Sequence, residues 1–345
     1  MNPSPIPIAI LGATGMVGQR MVALLADHPF LQLAAVCASQ RSAGRPYHQA
    51  TTWRLPGTCP AFARDMEVLP CDPNQLPAGV RLVFSALDSG VAGPLEDAFR
   101  AAGYGVVTNA SSHREDPDVP LVIPEVNPGH LELLSLQQGP GFIVANPNCS
   151  AIPLTMALAP LHRRWGVEAV TCATWQAVSG AGYPGESAWD MVGNVHPHAG
   201  NEEEKLAIEP LKILGAPGDP ADFAVSARCV RVPVADGHLI GAQVRLTGDP
   251  GVDEVAQELA SWTPDSPELP SAPRPTLLIS DLRDRPSPRM DADNGRGMAV
   301  TVGRIEACPV MGVKFFALAH NTIRGAAGAA LANAELLALL GKVPP

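Results

Sequence analysis

The sequence contains little lysine, few aromatic residues and less positive than negative charge. Four of its 24 basic residues are lysines, and phenylalanine, tryptophan and tyrosine together account for 5% of the 345 residues. With 34 acidic residues, the formal net charge is −10. This balance argues against general electrostatic binding to nucleic acid or to an anionic membrane surface. Any anion that the chain binds therefore needs a local cationic site, in which a lysine would be an informative residue.

A long hydrophobic run is also missing. Gly12 and Thr14 interrupt the first apolar stretch, and no run approaches the roughly 18 residues that a membrane-spanning helix needs. Residues Met1 to Pro7 do not place a cationic region ahead of an apolar one, as a secretory signal would. We therefore predict a cytoplasmic protein that does not associate with a membrane.

The seven cysteines are odd in number, widely spaced and never arranged as Cys-x-x-Cys. This pattern predicts neither a disulfide framework nor a zinc site. His196 and His198 lie two residues apart and could ligate a metal weakly, but no further cysteine or carboxylate at ligand spacing accompanies them. We therefore predict that the protein has no metal site.

What the sequence does contain is a repeated alternation of strand and helix patterns. Hydrophobic residues make up 46% of the chain, which is ample for a buried core, and the length fits two domains. An apolar run at residues 6–11 precedes a glycine turn and a helical pattern, and further apolar runs occupy residues 31–39, 81–87 and 105–111. This alternation predicts an α/β domain with a doubly wound parallel sheet.

The pattern changes from about Asn148 onwards, which predicts a second domain. Residues 150–165 have a helical pattern, and residues 230–248 alternate as strands do. Residues 262–297 are rich in proline, aspartate and arginine, and we predict a loop there. Residues 325–341 are strong helix formers, so we predict a helix near the end of the sequence.

Residues 12–18 form a Gly-x-x-Gly-x-x-Gly turn between a predicted strand and a predicted helix. Glycines let the backbone approach a pyrophosphate, and the helix that follows supplies free N–H groups and the positive end of its dipole. Such turns also occur for steric reasons alone, but the strand and the helix around this one favour cofactor binding. The residues predicted to contact a dinucleotide here are Gly12, Thr14, Gly15, Met16 and Val17.

The end of the second predicted strand indicates which dinucleotide binds. An acidic residue at this place would bind the ribose 2′-hydroxyl of NAD, but the sequence has Ser39 and Arg41 there and no carboxylate. A hydroxyl and a guanidinium suit a 2′-phosphate. An exposed loop arginine is the alternative interpretation, and we predict NADP as the cofactor.

Cys149 lies in Asn-Pro-Asn-Cys-Ser, directly before a predicted apolar helix. The dipole and the free N–H groups of a helix N-terminus stabilise a thiolate, so we predict a lowered pKa and a nucleophilic role for Cys149. A buried structural cysteine is the alternative. A nucleophilic thiol needs an acid/base partner, and His238, at a glycine corner after a strand pattern, is the candidate among nine histidines.

Six motifs in this order carry a resemblance to a known family: GATGMVG, NPNCS, QAVSGAG, GNEEEK, RVPVADGH and HNTIRGAAGAALANAELL. The chain resembles the aspartate-β-semialdehyde dehydrogenases, and specifically their archaeal and fungal branch. The resemblance implies an oxidoreductase that interconverts L-aspartate 4-semialdehyde and L-4-aspartyl phosphate with NADP and inorganic phosphate. Such an enzyme serves the biosynthesis of lysine (through diaminopimelate), threonine, methionine and isoleucine.

The resemblance also implies an architecture. It implies a Rossmann-type NADP-binding domain, formed by residues 1–148 and 324–345, and an α+β catalytic and dimerisation domain, formed by residues 149–323. The second domain of the family forms a dimer interface, so we expect a homodimer, or a tetramer of such dimers.

The resemblance assigns roles to residues of these motifs. It implies Cys149 as the nucleophile that passes through a thiohemiacetal and a thioester, and His238 as the acid/base. Gln176 would orient the substrate. The substrate-binding residues it implies are Glu202 for the ammonium and Arg231 for the α-carboxylate. Those for phosphate are Arg114 and Lys205, with Asn109 nearby, and those for the nicotinamide are Ser179, Gly180, Gly182 and Asn321.

Other functions remain alternatives. Without the resemblance, the run Glu202 to Lys205 would be interpreted as a solvated charged surface. N-acetyl-γ-glutamyl-phosphate reductase has a similar glycine turn and cysteine but different residues around the cysteine. Malonyl-CoA reductase resembles the same branch, yet its substrate has no ammonium to pair with Glu202. An inactive NADP-binding scaffold is the alternative that is not an enzyme, and the presence of both Cys149 and His238 argues against it.

Overall fold

The first part of the chain forms a parallel sheet of six strands. The computed structural model describes residues 5–344, so residues 1–4 of the segment considered for a targeting signal, and residue 345, lie outside the described part. The strand order is β3-β2-β1-β4-β5-β6, and every neighbouring pair is parallel. The strands are β1 (Ile6–Leu11), β2 (Leu31–Ala38), β3 (Val68–Pro70), β4 (Leu82–Ser85), β5 (Gly105–Thr108) and β6 (Phe142–Ala145). This order reverses beside β1, as in doubly wound dinucleotide-binding sheets.

A second sheet, of mixed direction, follows. Its order is β10-β11-β12-β9-β7-β8, with parallel pairs at both edges and antiparallel pairs between them. The strands are β7 (Val167–Gln176), β8 (Ala224–Arg231), β9 (His238–Leu246), β10 (Leu277–Ser280), β11 (Val300–Cys308) and β12 (Gly312–Ala319). The two sheets confirm the predicted fold class, a parallel α/β sheet followed by an α+β part.

The helices connect and cover the two sheets. They are α1 (Met16–Leu24), α2 (Tyr47–Ala50), α3 (Ala61–Arg64), α4 (Ser89–Ala101), α5 (Ala151–Trp165), α6 (Ala188–Met191), α7 (Glu202–Leu214), α8 (Val252–Ser261), α9 (Pro288–Asp291) and α10 (Gly328–Leu339). Short 3₁₀ segments occupy Pro73–Gln75, Pro128–Leu136 and Val178–Ala181, and a π-helical turn, Ile323–Ala327, leads into α10. No described helix is long and apolar enough to cross a membrane.

Helix α5 lies at the centre of the molecule. Its residues from Ala151 to Leu161 are all buried, because it contacts β9, β11 and β12 of the second sheet as well as α7 and α8. An apolar sequence on every side is typical of a helix that is surrounded by protein. The helix thus holds the turn before it, which contains Cys149, at a fixed place between the two sheets.

The last helix returns to the first sheet. The π-helical turn packs on α1, and α10 contacts α1 and β5. Asn333, buried on α10, donates a hydrogen bond to the carbonyl of Val122 at 3.1 Å and another to Oδ1 of Asn146 at 2.6 Å. Residues of α10 accordingly belong to the same apolar cluster as β1 and β2.

The segment 262–297 differs from its prediction as a loop. Leu277–Ser280 forms β10, which pairs in parallel with Val300–Gly303 of β11, and Pro288–Asp291 forms the short helix α9. The four apolar or small residues of β10 follow two prolines, which hid the strand pattern. A strand this short exists because a neighbouring strand supplies its hydrogen bonds, so the local sequence does not reveal it.

Candidate active site

A cavity of about 200 Å³ lies where the two sheets meet. The loops after β4, β5 and β6 reach it from the carboxyl edge of the parallel sheet, the usual ligand-binding edge of such folds. Helix α7 and the segments 179–180 and 321–326 close it from the other side. Nine residues predicted from the sequence line it: Val17, Asn109, Arg114, Cys149, Ser179, Gly180, Glu202, Lys205 and Asn321.

Asn148 shapes the turn that presents Cys149. Its Oδ1 accepts the backbone N–H of Ser150 at 2.9 Å and that of Ala151 at 3.3 Å, while its carbonyl accepts the N–H of Ile152 at 3.0 Å. Asn148 therefore holds the turn that leads into α5 in the way that a capping asparagine does, whereas Ser150, the residue directly before the helix, makes no side-chain cap hydrogen bond. Its Nδ2 donates to Oε2 of Glu202 at 2.7 Å, which ties the turn to α7.

The predicted lowering of the Cys149 pKa is wrong for this structure. Cys149 is only partly exposed at the cavity, and burial, together with the carboxylate of Glu202, raises its pKa to about 12. The positive charges of Arg114, Arg231 and Lys205 oppose this rise without cancelling it. Desolvation disfavours a buried thiolate more than the helix N-terminus favours it. The thiol is therefore protonated at neutral pH before any ligand binds.

Glu202 and Lys205 form an ion pair that faces the cavity. Nζ of Lys205 lies 2.8 Å from Oε1 of Glu202, and both residues belong to α7, three positions apart. Gln176 also donates to Oε2 of Glu202, at 3.4 Å. The carboxylate and the ammonium thus neutralise each other in the unliganded cavity. Each is placed to exchange its partner for a ligand of the opposite charge.

Arg114 reaches the same cavity from the loop after β5. Its Nη1 donates to Oε1 of Glu209 at 2.8 Å, and its Nη2 donates to the carbonyl of Asn109 at 2.7 Å. The residue is 8% exposed, and its Nε has no hydrogen-bond partner in the described part of the chain. Asn109 is held in turn by Nδ2 of Asn146, at 2.9 Å from its Oδ1. Arg114 is therefore a fixed cation with a free donor.

His238 is fully buried and lies behind Gly180. Its Nδ1 accepts the backbone N–H of Ala177 at 3.0 Å, so the proton of the neutral ring is assigned to Nε2. Nε2 has no hydrogen-bond partner among the described residues. Burial, followed by the charges of Arg231 and His320, lowers the pKa of His238 to about 3. The imidazole is thus neutral across the physiological range and carries a free N–H donor.

Arg231 and Gln176 lie beside His238 rather than on the cavity surface. Nη1 of Arg231 donates to Oε1 of Gln176 at 3.0 Å and to the carbonyl of Ala177 at 3.1 Å. A Cβ at Gly180 would lie 2.8 Å from this nitrogen and 2.9 Å from Nε2 of His238. Arg231 and His238 therefore pack against Gly180, Gln176 lies between Arg231 and Glu202, and none of the three is among the described residues that line the cavity. No hydrogen bond joins His238 to Cys149 among the described residues, but the charge of Arg231 acts on both.

The glycine turn is contiguous with this cavity through Val17. Gly12 has a φ of +78°, and a Cβ there would lie 2.5 Å from the carbonyl oxygen of Ala86, so only glycine fits. Helix α1 begins at Met16, and Gly15 before it supplies no side-chain cap. The first N–H groups of α1 are consequently open to an anion. Thr14 lies in the turn between Gly12 and Gly15, and its carbonyl accepts a hydrogen bond from Nε2 of Gln19 at 2.9 Å.

The remaining cofactor residues predicted from the sequence lie around this edge. Ser39 and Arg41 are exposed directly after β2, the strand that pairs with β1, and so lie at the same sheet edge as the glycine turn. Asn321 donates to Oγ of Ser179 at 2.8 Å and accepts the N–H of Gly237 at 2.8 Å. Gly182 ends the 3₁₀ turn with a φ of +73°.

Two family models match the chain. Residues 7–134 match the semialdehyde dehydrogenase NAD binding domain, and residues 158–324 match the semialdehyde dehydrogenase dimerisation domain. The aspartate-semialdehyde dehydrogenase of Archaeoglobus fulgidus is 44% identical over 338 residues, which cover 96% of this chain and 97% of that protein. The Cryptococcus neoformans enzyme of the same name is 42% identical over 97% of this chain and 98% of its own length. The chain belongs to the aspartate-semialdehyde dehydrogenase family.

A solved structure of this aspartate-semialdehyde dehydrogenase family agrees with the fold. The crystal structure of aspartate semialdehyde dehydrogenase with NADP from Candida albicans has a TM-score of 0.88 at 39% identity, over 97% of this chain and 98% of that one. Archaeal and fungal proteins are thus both among the relatives, which confirms the predicted branch. The six motifs of the sequence were sufficient for this assignment.

Some residues of the site lie outside those predicted from the sequence of this family member. The side chain of Asn148 and the residues Ser89, Ser111 and Thr322 also line the cavity. Asn148 and Thr322 lie inside quoted motifs, so the motifs already pointed to them. Ser89 and Ser111 had no local signal, because they meet across 22 residues, where Oγ of Ser89 accepts the backbone N–H of Ser111 at 3.1 Å and its hydroxyl at 3.0 Å.

Proposed function

We propose that the protein is an NADP-dependent aspartate-semialdehyde dehydrogenase that reversibly oxidises and phosphorylates L-aspartate 4-semialdehyde to L-4-aspartyl phosphate. The observation that carries this proposal is the single cavity in which Cys149, Glu202, Lys205 and Arg114 meet. A thiol, a carboxylate and two cations are the groups that an amino-aldehyde and an inorganic phosphate require. The family relationship supports the same reaction, which serves the biosynthesis of lysine, threonine, methionine and isoleucine.

NADP fits the edge beside this cavity. The open N–H groups of α1 would hold the pyrophosphate, and Ser39 and Arg41 would hold the 2′-phosphate of the adenosine. The nicotinamide would then lie against Ser179, Gly180, Gly182 and Asn321, next to Cys149. When bound there, NADP accepts the hydride that leaves the substrate carbon.

Cys149 forms the covalent intermediate. Its sulfur adds to the aldehyde carbon, and the sulfhydryl proton moves, in net terms, to the aldehyde oxygen. Loss of a hydride from that carbon to the cofactor, and of the hydroxyl proton to solvent water, leaves a thioester. Pairing of the substrate ammonium with Glu202 weakens the negative field that raises the pKa of Cys149. Substrate binding therefore helps to activate the thiol.

His238 acts on the oxygen of the intermediate as a hydrogen-bond donor once the segment around Gly180 gives access to its Nε2. Its Nδ1 is occupied by the N–H of Ala177, so its Nε2 carries the proton and faces Gly180. For Nε2 of the neutral ring to act as a base, the ring proton would have to lie on Nδ1, where it would oppose the N–H group of Ala177. In this conformation, the donor part of the predicted acid/base role is the favoured one.

Phosphate completes the reaction. An oxygen of inorganic phosphate attacks the thioester carbon, the C–S bond breaks, and the sulfur of Cys149 leaves as thiolate while the acyl phosphate forms. Arg114 and Lys205 neutralise the incoming phosphate, and Asn109 supports Arg114 through its carbonyl. Arg231 holds the α-carboxylate of the substrate, and Gln176 orients the substrate beside Cys149, once the segment around Gly180 gives access to them.

The assembly and the domains follow the family. Residues 1–148 and 324–345 form the NADP-binding domain and residues 149–323 the catalytic and dimerisation domain. The protein forms a homodimer or a tetramer through the second domain, and it acts in the cytoplasm. The matching dimerisation domain supports the dimer, and the return of α10 to the first sheet supports the divided first domain.

The test is NADP reduction with L-aspartate 4-semialdehyde as the substrate, measured by absorbance with and without phosphate. We expect turnover that requires phosphate. Cys149→Ala should lose turnover by at least about 10⁴-fold while it still binds NADP, because the nucleophile is absent and the cofactor edge is intact. Cys172→Ala is the control, because it removes a buried cysteine of the second sheet. Residual activity of Cys149→Ala near that of the wild type would refute the covalent mechanism, and phosphate-independent reduction of malonyl-CoA would favour the reductase alternative.

A further inference from the structure

Glu209 is a buried carboxylate next to the cavity that no motif of the sequence identified. It is 3% exposed, lies on α7 seven residues after Glu202, and is absent from the described lining of the cavity. A buried carboxylate is costly unless its oxygens are paired and hydrogen-bonded. The partners of Glu209 therefore indicate why the chain keeps it there.

The two oxygens of Glu209 hold two different parts of the site. Oε1 accepts Nη1 of Arg114 at 2.8 Å, and Oε2 accepts the backbone N–H of Asn148. Arg114 lines the cavity with its guanidinium charge, and Asn148 is the residue directly before Cys149. A single side chain thus connects the loop after β5 to the turn that presents the thiol.

Helix α7 holds the loop of Arg114 at a second point. Lys212, three residues after Glu209, donates from Nζ to the carbonyls of Arg114 and Asp116, each at 2.7 Å. The guanidinium and the backbone of Arg114 are therefore both fixed from one helix. Two donors meet Glu209, which is almost fully buried, so loss of this acceptor would leave a buried donor without a partner.

We propose that Glu209 is a positioning residue that sets Arg114 relative to Cys149, and so serves both the acylation step and the attack of phosphate. The inference rests on the proposed function, because it needs a thioester at Cys149 and a phosphate at Arg114. Glu209 touches neither ligand and acts through Arg114 and Asn148. A displacement of about 1 Å between reacting groups can cost about 10²-fold in rate.

The test is Glu209→Gln, which keeps the size of the side chain. Glutamine offers one oxygen, so its NH₂ group must face either Arg114 or the N–H of Asn148, and one donor loses its acceptor. We expect the KM for phosphate to rise by about tenfold or more, and the pre-steady-state burst of NADPH to slow by about tenfold. The KM for the semialdehyde and that for NADP should change by less than about threefold.

Three variants separate positioning from loss of stability. Glu335→Gln is the matched control, because Glu335 is a fully buried carboxylate on α10 that accepts from His28 and Ser271, away from the cavity. The Glu335→Gln protein should be less stable than the wild type, while its KM for phosphate and its burst of NADPH stay unchanged. Arg114→Ala should raise the KM for phosphate and also slow the burst, because the charge of Arg114 opposes the rise in the pKa of Cys149. In that background, Glu209→Gln should add nothing to the KM for phosphate and should still slow the burst.

A measurement without turnover distinguishes this inference from the proposed function. Inorganic phosphate should protect Cys149 from alkylation by iodoacetamide, which mass spectrometry of the peptide that contains Cys149 measures. Glu209→Gln should need about tenfold more phosphate for the same protection. A wild type that does not oxidise the semialdehyde would refute the proposed function, and the protection experiment would still decide on Glu209. The inference is wrong if phosphate fails to protect the wild type. It is also wrong if Glu209→Gln retains the wild-type burst, KM for phosphate and protection, whatever its melting temperature.

Discussion

At the scale of single residues, the protonation state of Cys149 depends on which of two opposing effects is larger. The start of a helix favours a thiolate by roughly 0.3–2 kcal/mol. Moving the pKa of Cys149 from 9.0 to about 12 corresponds to about 4 kcal/mol in the other direction. Burial therefore prevails in the unliganded protein, and the reactive form of Cys149 depends on the charges that ligands bring.

A second feature at this scale is the contact of Gly180 with His238 and Arg231. Gly180→Ala should reduce kcat by about 10²-fold, because the new methyl group would lie within 3 Å of Nη1 of Arg231 and Nε2 of His238. NADP affinity, measured by fluorescence titration, should change little. Gly129→Ala is the control, since a Cβ there meets no atom within 4 Å. A Gly180→Ala enzyme with kcat within threefold of the wild type would contradict this role of Gly180.

At the scale of elements, α7 orders the polar side of the cavity. Glu202, Lys205, Glu209 and Lys212 follow one another at intervals of three and four residues, so they lie along one face of the helix. This spacing is visible in the sequence once a helix is assumed. The hydrogen-bond partners of Glu209 are not visible in the sequence, because Arg114 and Asn148 lie 95 and 61 residues away from it along the chain.

The ion pair of this helix predicts that the two substrates bind cooperatively. An ammonium ligand that pairs with Glu202 releases Lys205, which then becomes available to phosphate. L-aspartate should therefore increase phosphate affinity by about fivefold or more, whereas succinate, which has no ammonium, should not. Isothermal titration of phosphate in the presence of each compound measures this difference. Glu202→Gln should abolish the effect of aspartate, and equal phosphate affinities with both compounds would contradict the exchange.

At the scale of the whole molecule, local patterns predicted the parallel sheet well and the second sheet less well. Each of β1, β2, β4 and β5 follows from an apolar run bounded by turn residues. Strand β10 does not follow from such a run, since its formation depends on its pairing with β11. In the same way, the motifs identified Cys149 and its neighbours, but no sequence pattern states that the pKa of a thiol rises. That depends on how closely the rest of the chain surrounds it.

The buried His238 connects the site to the stability of the whole protein. Its pKa of about 3 in the folded state lies below the value of 6.5 expected for the unfolded chain, so the unfolded state binds the proton more readily. The contribution of neutral His238 to the free energy of unfolding is complete above pH 6.5 and is lost as the pH falls towards 3. Between pH 7.5 and 5.5, His238 should lower the free energy of unfolding by roughly 1 kcal/mol.

Burial lowers the pKa of His130, His162 and His320 as well, so these histidines act in the same direction. The difference between the wild type and His238→Asn isolates His238, because the other groups are common to both proteins. Urea unfolding at pH 7.5 and 5.5 should show a loss of stability on acidification that is smaller by roughly 1 kcal/mol in the variant. Equal losses in both proteins would mean that His238 accepts a proton in the folded state, which would restore an acid/base role to its ring.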